Sequence, residues 1–331
     1  MVFVNEPFEG LVVGVDSGGS GLRIALAEAA SGAVLETVSS REPVRTGPGG
    51  ISAGHFLEQV LPAVAALRER AGAPPVVAAA VGAAGMATLG EELRAELPGA
   101  FAEVWGVRRL ALAADAVTAY AGALGQRPGA VVAGGTGLIA LGTDLTSWRR
   151  ADGWGHLLGD CGSGAWIGRA GLEAAMRAHD GRRGGSSALL TRAEKLFGPA
   201  AGLPGVLYPR TDRPAVLASF APEVGRCAAT DPVAAGILAR AGAHIAEAAE
   251  AVCPAEPGAL VALTGGLFKM GAPLLVPLRA ALGELLPQAR TVEPAGDPLA
   301  GAVALASALA TGTLRLPEDP SLLRLFGAGA R

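Results

Sequence analysis

The stretch LVVGVDSGGSGLRIALAEA, residues 11–29, contains two apolar runs separated by a turn rich in glycine and serine. Aliphatic and β-branched residues dominate each run, and such turns commonly join neighbouring strands, so the pattern predicts a strand pair. A second turn near Ser31 leads into AVLETVSS, residues 33–40, which predicts a third strand. The sequence therefore opens with a predicted three-stranded meander.

The opening pattern returns in the middle of the chain. AVVAGG, the turn Thr-Gly and LIALGTD follow one another over residues 130–144, and a third short segment lies near Trp148. Helical patterns alternate with strands elsewhere, including residues 53–70, where apolar residues recur every three or four positions, and the small-residue stretch 296–312. The sequence predicts a mixed α/β protein of two similar halves whose glycine turns point at a common cleft.

Composition predicts a cytoplasmic protein of two domains. The chain has 331 residues, more than one ordinary core requires. Half of the residues are hydrophobic and the mean hydropathy is +0.40, but the longest uncharged run, residues 71–90, contains two prolines and four glycines, so we expect no membrane span. The first ten residues lack the pattern of an export signal, and three widely spaced cysteines fit reduced thiols.

The balance of charge argues against nucleic acid as a partner. The chain carries 27 basic and 30 acidic residues. Its basic pairs, such as Arg149-Arg150, are short and isolated, whereas binding to a phosphate backbone requires a basic stripe.

The first glycine turn, residues 16–20, has two interpretations. Backbone N–H groups and hydroxyls in such a turn can cradle a phosphate, and Asp16 could then hold Mg²⁺ through water. An ordinary tight hairpin between strands has the same composition. The turn at residues 134–137 is equally ambiguous, but the two turns together with LTGG at residues 263–266 favour a nucleotide site.

The loop GWGHLLGDCGSGAWIGR, residues 153–169, contains six glycines, an aspartate and two of the four tryptophans of the chain. Glycine is repeated where the backbone must approach another group closely or adopt positive φ. The loop is therefore a candidate binding segment.

In their order along the chain, GVDSGGSG, AD, GGTG, the 153–169 loop and LTGG resemble the sugar kinases of the actin-like ATPase superfamily, in the N-acetylglucosamine kinase-like, BadF/BadG/BcrA/BcrD-type branch. Within it the chain is most similar to actinobacterial glucosamine kinases. The resemblance covers nearly the whole chain. It implies two actin-like (ribonuclease H-like) domains, residues 1–117 with 297–331 and residues 118–296, with mixed sheets flanked by helices and a cleft between them.

The resemblance also implies a reaction and its partners. A homodimer would transfer the γ-phosphate of ATP, with Mg²⁺, to the 6-hydroxyl of glucosamine; the alternative acceptor is N-acetylglucosamine. Asp115 would be the catalytic base, although an aspartate there also suits a helix N-cap. The remaining residues implied to form the site are Ser17, Gly18, Gly19, Ser20, Gly135, Thr136, Gly265 and Gly266 for the nucleotide, Asp16 for the metal, and Thr136, Gly137, Trp154, Gly155, His156 and Asp160 for the sugar.

Several positions depart from the family pattern. Cys161 stands where kinases of acetylated sugars usually have glutamate, and Ala114 stands where asparagine is frequent. Ser17 and Ser20 replace a glycine and a threonine of the first turn but keep hydroxyl groups. The change at Cys161 favours glucosamine, because an N-acetyl group needs an apolar slot and an amide partner whereas an ammonium needs acceptors.

Three other functions fit the same scaffold less well. An electron-transfer activator needs cysteines that hold an iron–sulfur cluster, and Cys161, Cys227 and Cys253 are poorly spaced for it. A sugar-sensing repressor needs a DNA-binding module, for which no pattern is present. A filament protein would not need Asp115 and Asp160.

Overall fold

The structure, a computed structural model, describes residues 10–19, 21–47 and 49–327. The strands are β1 (Leu11–Gly18), β2 (Gly21–Glu28), β3 (Val34–Ser40), β4 (Thr46–Gly47), β5 (Gly50–Ile51), β6 (Val76–Ala83), β7 (Leu110–Ala114), β8 (Gly129–Gly134), β9 (Leu138–Thr143), β10 (Trp148–Asp152), β11 (Leu260–Thr264), β12 (Arg290–Val292) and β13 (Leu323–Phe326). The α-helices are α1 (Ala53–Arg70), α2 (Met86–Leu89), α3 (Glu91–Trp105), α4 (Asp115–Leu124), α5 (Gly164–His179), α6 (Ser187–Phe197), α7 (Leu203–Leu207), α8 (Arg213–Cys227), α9 (Pro232–Val252), α10 (Ala272–Leu285) and α11 (Pro298–Thr311).

The described chain divides into two compact units. Unit 1 runs to Pro128, takes in residues 144–148 and resumes at Glu293; unit 2 comprises Gly129–Thr143 and Arg149–Val292. The predicted domain boundary after residue 117 would cut through α4, which lies wholly in unit 1.

The sheet of unit 1 has the strand order β13-β7-β6-β1-β2-β3. β1 pairs antiparallel with β2, β2 pairs antiparallel with β3, and β6 and β7 add parallel strands on the other side of β1. The predicted opening meander is confirmed. β1 is buried along almost its whole length, as expected for a central strand covered on both faces.

The sheet of unit 2 has the order β10-β9-β8-β11-β12, which repeats the order β3-β2-β1-β6-β7 of unit 1. Its central strand β8 likewise pairs antiparallel with the next strand and parallel with β11. The internal repeat is thus confirmed in the topology. Mixed sheets flanked by helices confirm the predicted α/β class.

Small residues let helices pack closely in unit 1. A Cβ atom added at Gly122 of α4 would lie 2.1 Å from the Asp297 carbonyl oxygen, and one added at Gly301 of α11 would lie 1.9 Å from the Thr118 carbonyl oxygen. α4 and α11 therefore depend on glycine at their contact. This packing places α4 in unit 1.

The core of unit 2 lies between its sheet and the helices α5, α8, α9 and α10. α5 and α8 also approach closely, because a Cβ atom added at Gly168 would lie 1.8 Å from the Leu217 carbonyl oxygen. Sequence patterns had not located the helices between residues 181 and 222; they are α6, α7 and most of α8. Across the part of the chain that the structure describes, no helix is both long and apolar enough to cross a membrane.

Candidate functional site

The first glycine turn joins β1 to β2. Ser17 is buried, whereas Cβ atoms added at Gly18 and Gly19 would meet no atom within 4 Å. The backbone of this turn therefore faces open space, as close approach by a phosphate requires. The predicted residue Ser20 lies outside the described residues.

Asp16 belongs to an ion-pair network within unit 1 that sequence patterns did not reveal. Arg23, opposite Asp16 in the β1–β2 register, donates to Asp16 Oδ2 from Nε at 3.0 Å and from Nη2 at 2.6 Å. Its Nη1 donates to Asp297 Oδ2 at 2.5 Å, and Asp297 caps α11 through the Ala300 N–H. The alternation of β2 could have placed Arg23 beside Asp16, but no local signal points to Asp297.

Burial and charge affect the pKa values of this network in opposite directions. Burial tends to raise the pKa of Asp297, but the hydrogen bond from Ala300 and the ion pair with Arg23 bring it below its ordinary value. Burial disfavours the charged guanidinium of Arg23, but hydrogen bonds to Asp16 and Asp297 outweigh it and raise its pKa.

The residues present fit a magnesium ion held mainly by nucleotide and water. Among the described residues, no group of three or more His, Cys, Asp or Glu side chains could hold a metal by itself. The carboxylate of Asp16 already carries Arg23, so it suits an outer position reached through water.

Asp115 stands at the point where β7 gives way to α4. It is exposed, whereas its neighbours Ala114 and Ala116 are buried. The helix begins at Asp115 itself with Ala114 as N-cap, and the Asp115 carboxylate accepts the Ala116 N–H at 2.9 Å. A carboxylate at the open end of a buried strand is held in a fixed place and remains accessible to a substrate.

The second glycine turn, residues 134–137, is anchored on the N-terminus of α5. The carbonyls of Gly135 and Thr136 accept the N–H groups of Gly164 and Ala165, at 2.9 and 3.0 Å. A Cβ atom at Gly135 would meet nothing within 4 Å, and Thr136 is exposed. The turn is therefore held by α5 through its carbonyl groups, while Gly135 and Thr136 remain accessible.

Asp160 ties this turn to the 153–169 loop. It is 8% exposed, has a left-handed φ of 53°, and its carboxylate accepts the Gly155 N–H at 3.0 Å. A Cβ atom added at Gly137 would lie 2.6 Å from Asp160 Oδ2, so a larger residue there would have to displace the Asp160 carboxylate. Burial raises the pKa of Asp160, and nearby Asp152 adds to the rise while hydrogen bonds from Gly155 and Leu138 oppose it.

Two further residues that shape the loop were missed in the sequence. The carboxylate of Asp152 accepts the N–H groups of Asp160 and Cys161, at 2.5 and 2.8 Å. Arg150 donates to the Gly153 carbonyl at 2.7 Å and lies over the Trp154 ring, 4.5 Å from its centroid. An aspartate directly before a glycine was a signal for the turn at Asp152; none distinguished Arg150.

The other predicted sugar residues differ in their surroundings. Trp154 is 65% exposed, and His156 is half-buried and lines a cavity of about 500 Å³ together with Leu157. Trp166, the second tryptophan of the loop, packs against His244 and the core of unit 2. Cys161 is half-buried, and burial raises the pKa of its thiol.

A cavity of about 650 Å³ in unit 2 brings predicted nucleotide residues together. Its lining includes Gly135 and Thr136 of the second turn and Gly266 of LTGG. Gly265 does not line the cavity. It has a φ of 104° and packs against Gly134, because a Cβ atom added at Gly265 would lie 2.2 Å from the Gly134 carbonyl oxygen. Lys269 and Arg226 also line the cavity and were not predicted.

Comparisons with known proteins agree on the family. The model of the BadF/BadG/BcrA/BcrD ATPase family matches residues 13–306. The chain is 42% identical over 69 residues to the N-acetylmuramic acid/N-acetylglucosamine kinase of Clostridium acetobutylicum, a match that covers 20% of this chain and only 22% of that kinase.

Solved structures give a longer match. A provisionally assigned N-acetylglucosamine kinase from Chromobacterium violaceum is 30% identical, with a TM-score of 0.69 and coverage of 92% of this chain and 100% of that chain. A ROK family glucokinase from Streptomyces griseus, solved with glucose and AMPPNP, is 22% identical with a TM-score of 0.53 and covers 90% and 98% of the two chains, which is a likeness of fold. The chain thus has the actin-like sugar-kinase fold and belongs to the BadF/BadG/BcrA/BcrD ATPase family.

Proposed function

We propose that this protein is an ATP-dependent sugar kinase that phosphorylates the 6-hydroxyl of an amino sugar. N-acetylglucosamine is the first candidate acceptor, because the similar proteins from Clostridium acetobutylicum and Chromobacterium violaceum carry that sugar in their names. Glucosamine is the second, and the observation in its favour is Cys161 at a position where kinases of acetylated sugars usually have glutamate.

The observation that carries the proposal is the cavity of unit 2. Two glycine segments distant in sequence, at Gly135 and Gly266, open on the same space of about 650 Å³. A space of that size is typical of small-molecule and cofactor sites. Within unit 1, the first turn has an open backbone at Gly18 and Gly19, which suits phosphate oxygens.

Asp115 acts as the base in this mechanism. Its carboxylate orients the 6-hydroxyl and accepts its proton as the oxygen attacks the γ-phosphorus, and ADP leaves. The hydrogen bond from Ala116 keeps the carboxylate in place without burying it. A bound magnesium ion would neutralise phosphate charge, with Asp16 reaching it through water.

The 153–169 loop binds the sugar in the proposed mechanism. Asp160 fixes the loop to the second turn and His156 supplies a hydrogen-bonding ring, while Gly155 leaves room for the sugar, since a Cβ atom there would meet nothing within 4 Å. Trp154, stacked on Arg150, adds an exposed apolar wall.

A coupled assay of ADP release tests the proposal. Purified protein with ATP and Mg²⁺ is given N-acetylglucosamine, glucosamine, glucose or no sugar, and ³¹P NMR identifies the phosphorylated position. We expect sugar-dependent ADP release and a 6-phosphate, with the highest kcat/KM for N-acetylglucosamine. Preference for glucosamine would reverse the choice of acceptor, and ADP release independent of any sugar would overturn the kinase.

Asp115→Asn tests the base. We expect turnover to fall by about a hundredfold or more while ADP binding is kept, because only proton transfer is lost. Near-normal turnover would remove Asp115 from this role.

The proposed cytoplasmic homodimer rests on the family resemblance, and light scattering of the purified protein tests the dimer.

A further inference from the structure

The cavity that carries the proposed function has two walls of different origin. One face of α8 supplies the first wall, through residues spaced by three and four positions: Ala218, Ala221, Pro222, Gly225 and Arg226. The short 3₁₀ helix Gly266–Met270 and Pro273 supply the second. A nucleoside bound there would lie between these walls.

Small and apolar groups form most of this lining. Gly225 lets Met270 approach α8, because a Cβ atom added at Gly225 would lie 3.0 Å from Met270 Cγ. Ala221 and Leu267 are buried beside the cavity, and Pro222 adds a further apolar surface. Such walls favour a flat apolar ring through its area, which is nearly the same for every purine.

The polar side chains of the lining are few. They are Thr136, which belongs to the phosphate turn, and the cations Arg226 and Lys269. Arginine and lysine only donate hydrogen bonds, so they cannot accept one from the 6-amino group of adenine. Among the described residues that line the cavity, no carboxylate or carboxamide side chain is present to do so, and the acceptors left are the Thr136 hydroxyl and main-chain carbonyls.

A site rejects a close analogue strongly when buried polar groups of the protein would be left unpaired, whereas an apolar pocket discriminates weakly. We infer that the nucleotide site accepts purine nucleoside triphosphates with little regard to the group at carbon 6, so that ATP, GTP and ITP all serve as phosphate donors. This inference rests on the proposed function. It extends that function from ATP to the purine triphosphates as a class.

Two measurements on the wild-type protein test the inference. Calorimetry gives the Kd of ADP, GDP and IDP with Mg²⁺, and sugar phosphorylation gives kcat/KM for ATP, GTP and ITP at saturating sugar. We expect each series to span less than about thirtyfold. A preference for adenine above that factor, in either series, overturns the inference.

The two measurements separate this inference from the kinase proposal. If ATP supports phosphorylation of a sugar and GTP and ITP do not, the kinase stands and base indifference is wrong. If no triphosphate phosphorylates any sugar, the kinase proposal fails, and the diphosphate affinities still measure the preference for the base.

A matched pair of variants locates the nucleotide. Ala218→Leu enlarges a side chain of the cavity wall, and Ala215→Leu makes the same change at an exposed position of α8 outside the lining. We expect Ala218→Leu to weaken ADP and GDP binding alike, by about tenfold or more, and Ala215→Leu to leave both unchanged. Unchanged binding in a folded Ala218→Leu protein would mean that the nucleotide lies elsewhere and would overturn the inference.

If Ala218→Leu does not fold, Lys269→Met makes the same comparison, since the Lys269 side chain lines the cavity and is exposed. Loss of the cation should weaken ADP and GDP binding by the same factor. A variant that weakens only one of them would show that the cation selects the base, contrary to the inference.

Discussion

The two glycine turns occupy equivalent places in the repeated sheets, but different contacts hold them. In unit 1, the turn after β1 is open at Gly18 and Gly19, and the Asp16 carboxylate at its start is paired with Arg23. In unit 2, the turn after β8 is fixed on the N-terminus of α5, and Gly137 is pressed against Asp160.

The difference shows that similar glycines can be required for different reasons. Among the described residues, Gly18 and Gly19 have no neighbour that a methyl group would strike, so we attribute a requirement for glycine there to a bound ligand. At Gly137 the constraint comes from the protein itself, because the Asp160 carboxylate occupies the space of the missing side chain. Substitutions can therefore separate the contribution to stability from the contribution to binding.

Gly137→Ala should have the largest effect. Its new methyl group would displace the Asp160 carboxylate and, with it, the 153–169 loop. We expect a loss of about 2 kcal/mol in the free energy of unfolding and a fall of about a hundredfold in kcat/KM for the sugar, comparable to the cost of misplacing a group at a site. Urea denaturation and steady-state kinetics measure the two effects, and a variant with normal values of both would show that the second turn is as open as the first.

Gly19→Ala should have the next effect, and on binding alone. The added methyl group meets no protein atom, so the melting temperature should stay within error of wild type. KM for ATP should rise by about tenfold, because the methyl group hinders close approach of the phosphates. Gly99→Ala in α3, where a Cβ atom is also unopposed, is the control. Equal KM values in the two variants would leave the first turn an ordinary hairpin.

Arg23→Met should have a weaker effect, and its effect on kinetics should be confined to the first turn and to the KM for ATP. Arg23 is partly exposed, so its loss should cost about 1 kcal/mol of stability, mainly through the unpaired Asp16. KM for ATP should rise severalfold as Asp16 loses its fixed position, with sugar KM unchanged. Arg23→Lys is the control and should recover only part of the effect, since lysine cannot make the paired contact of the guanidinium. An equal change in sugar KM would show that the two turns are not separable.

The smallest effect should appear in acid. Because the folded-state pKa of Asp297 lies below its ordinary value of 3.8, the ionised carboxylate contributes stability above about pH 4 that is lost as the pH falls through the lowered pKa. Asp297→Asn keeps a good helix cap but loses the ion pair. We expect stability at pH 7 to fall by less than about 1 kcal/mol and the difference from wild type to shrink toward pH 3. A difference that grows in acid would contradict the assigned sign.

The sequence by itself determined the fold class, the internal repeat and the family. Apolar runs flanking two glycine turns predicted the strands β1, β2, β8 and β9, because β-branched composition and turn chemistry are local properties. The periodicity of residues 53–70 predicted α1 to its ends. Asp115 and the glycine motifs were also found in the sequence, since each lies within a short segment that carries its own signal.

Only the tertiary structure decided which of these residues are brought together. The contact of Arg23 with Asp297 joins positions far apart in the chain, and the contact of Gly137 with Asp160 depends on the path of a whole loop. The wall that α8 contributes to the cavity of about 650 Å³ comes from a region whose helices sequence patterns did not locate. Such contacts depend on the packing of several elements at once, and packing leaves no signature in any one segment of the sequence.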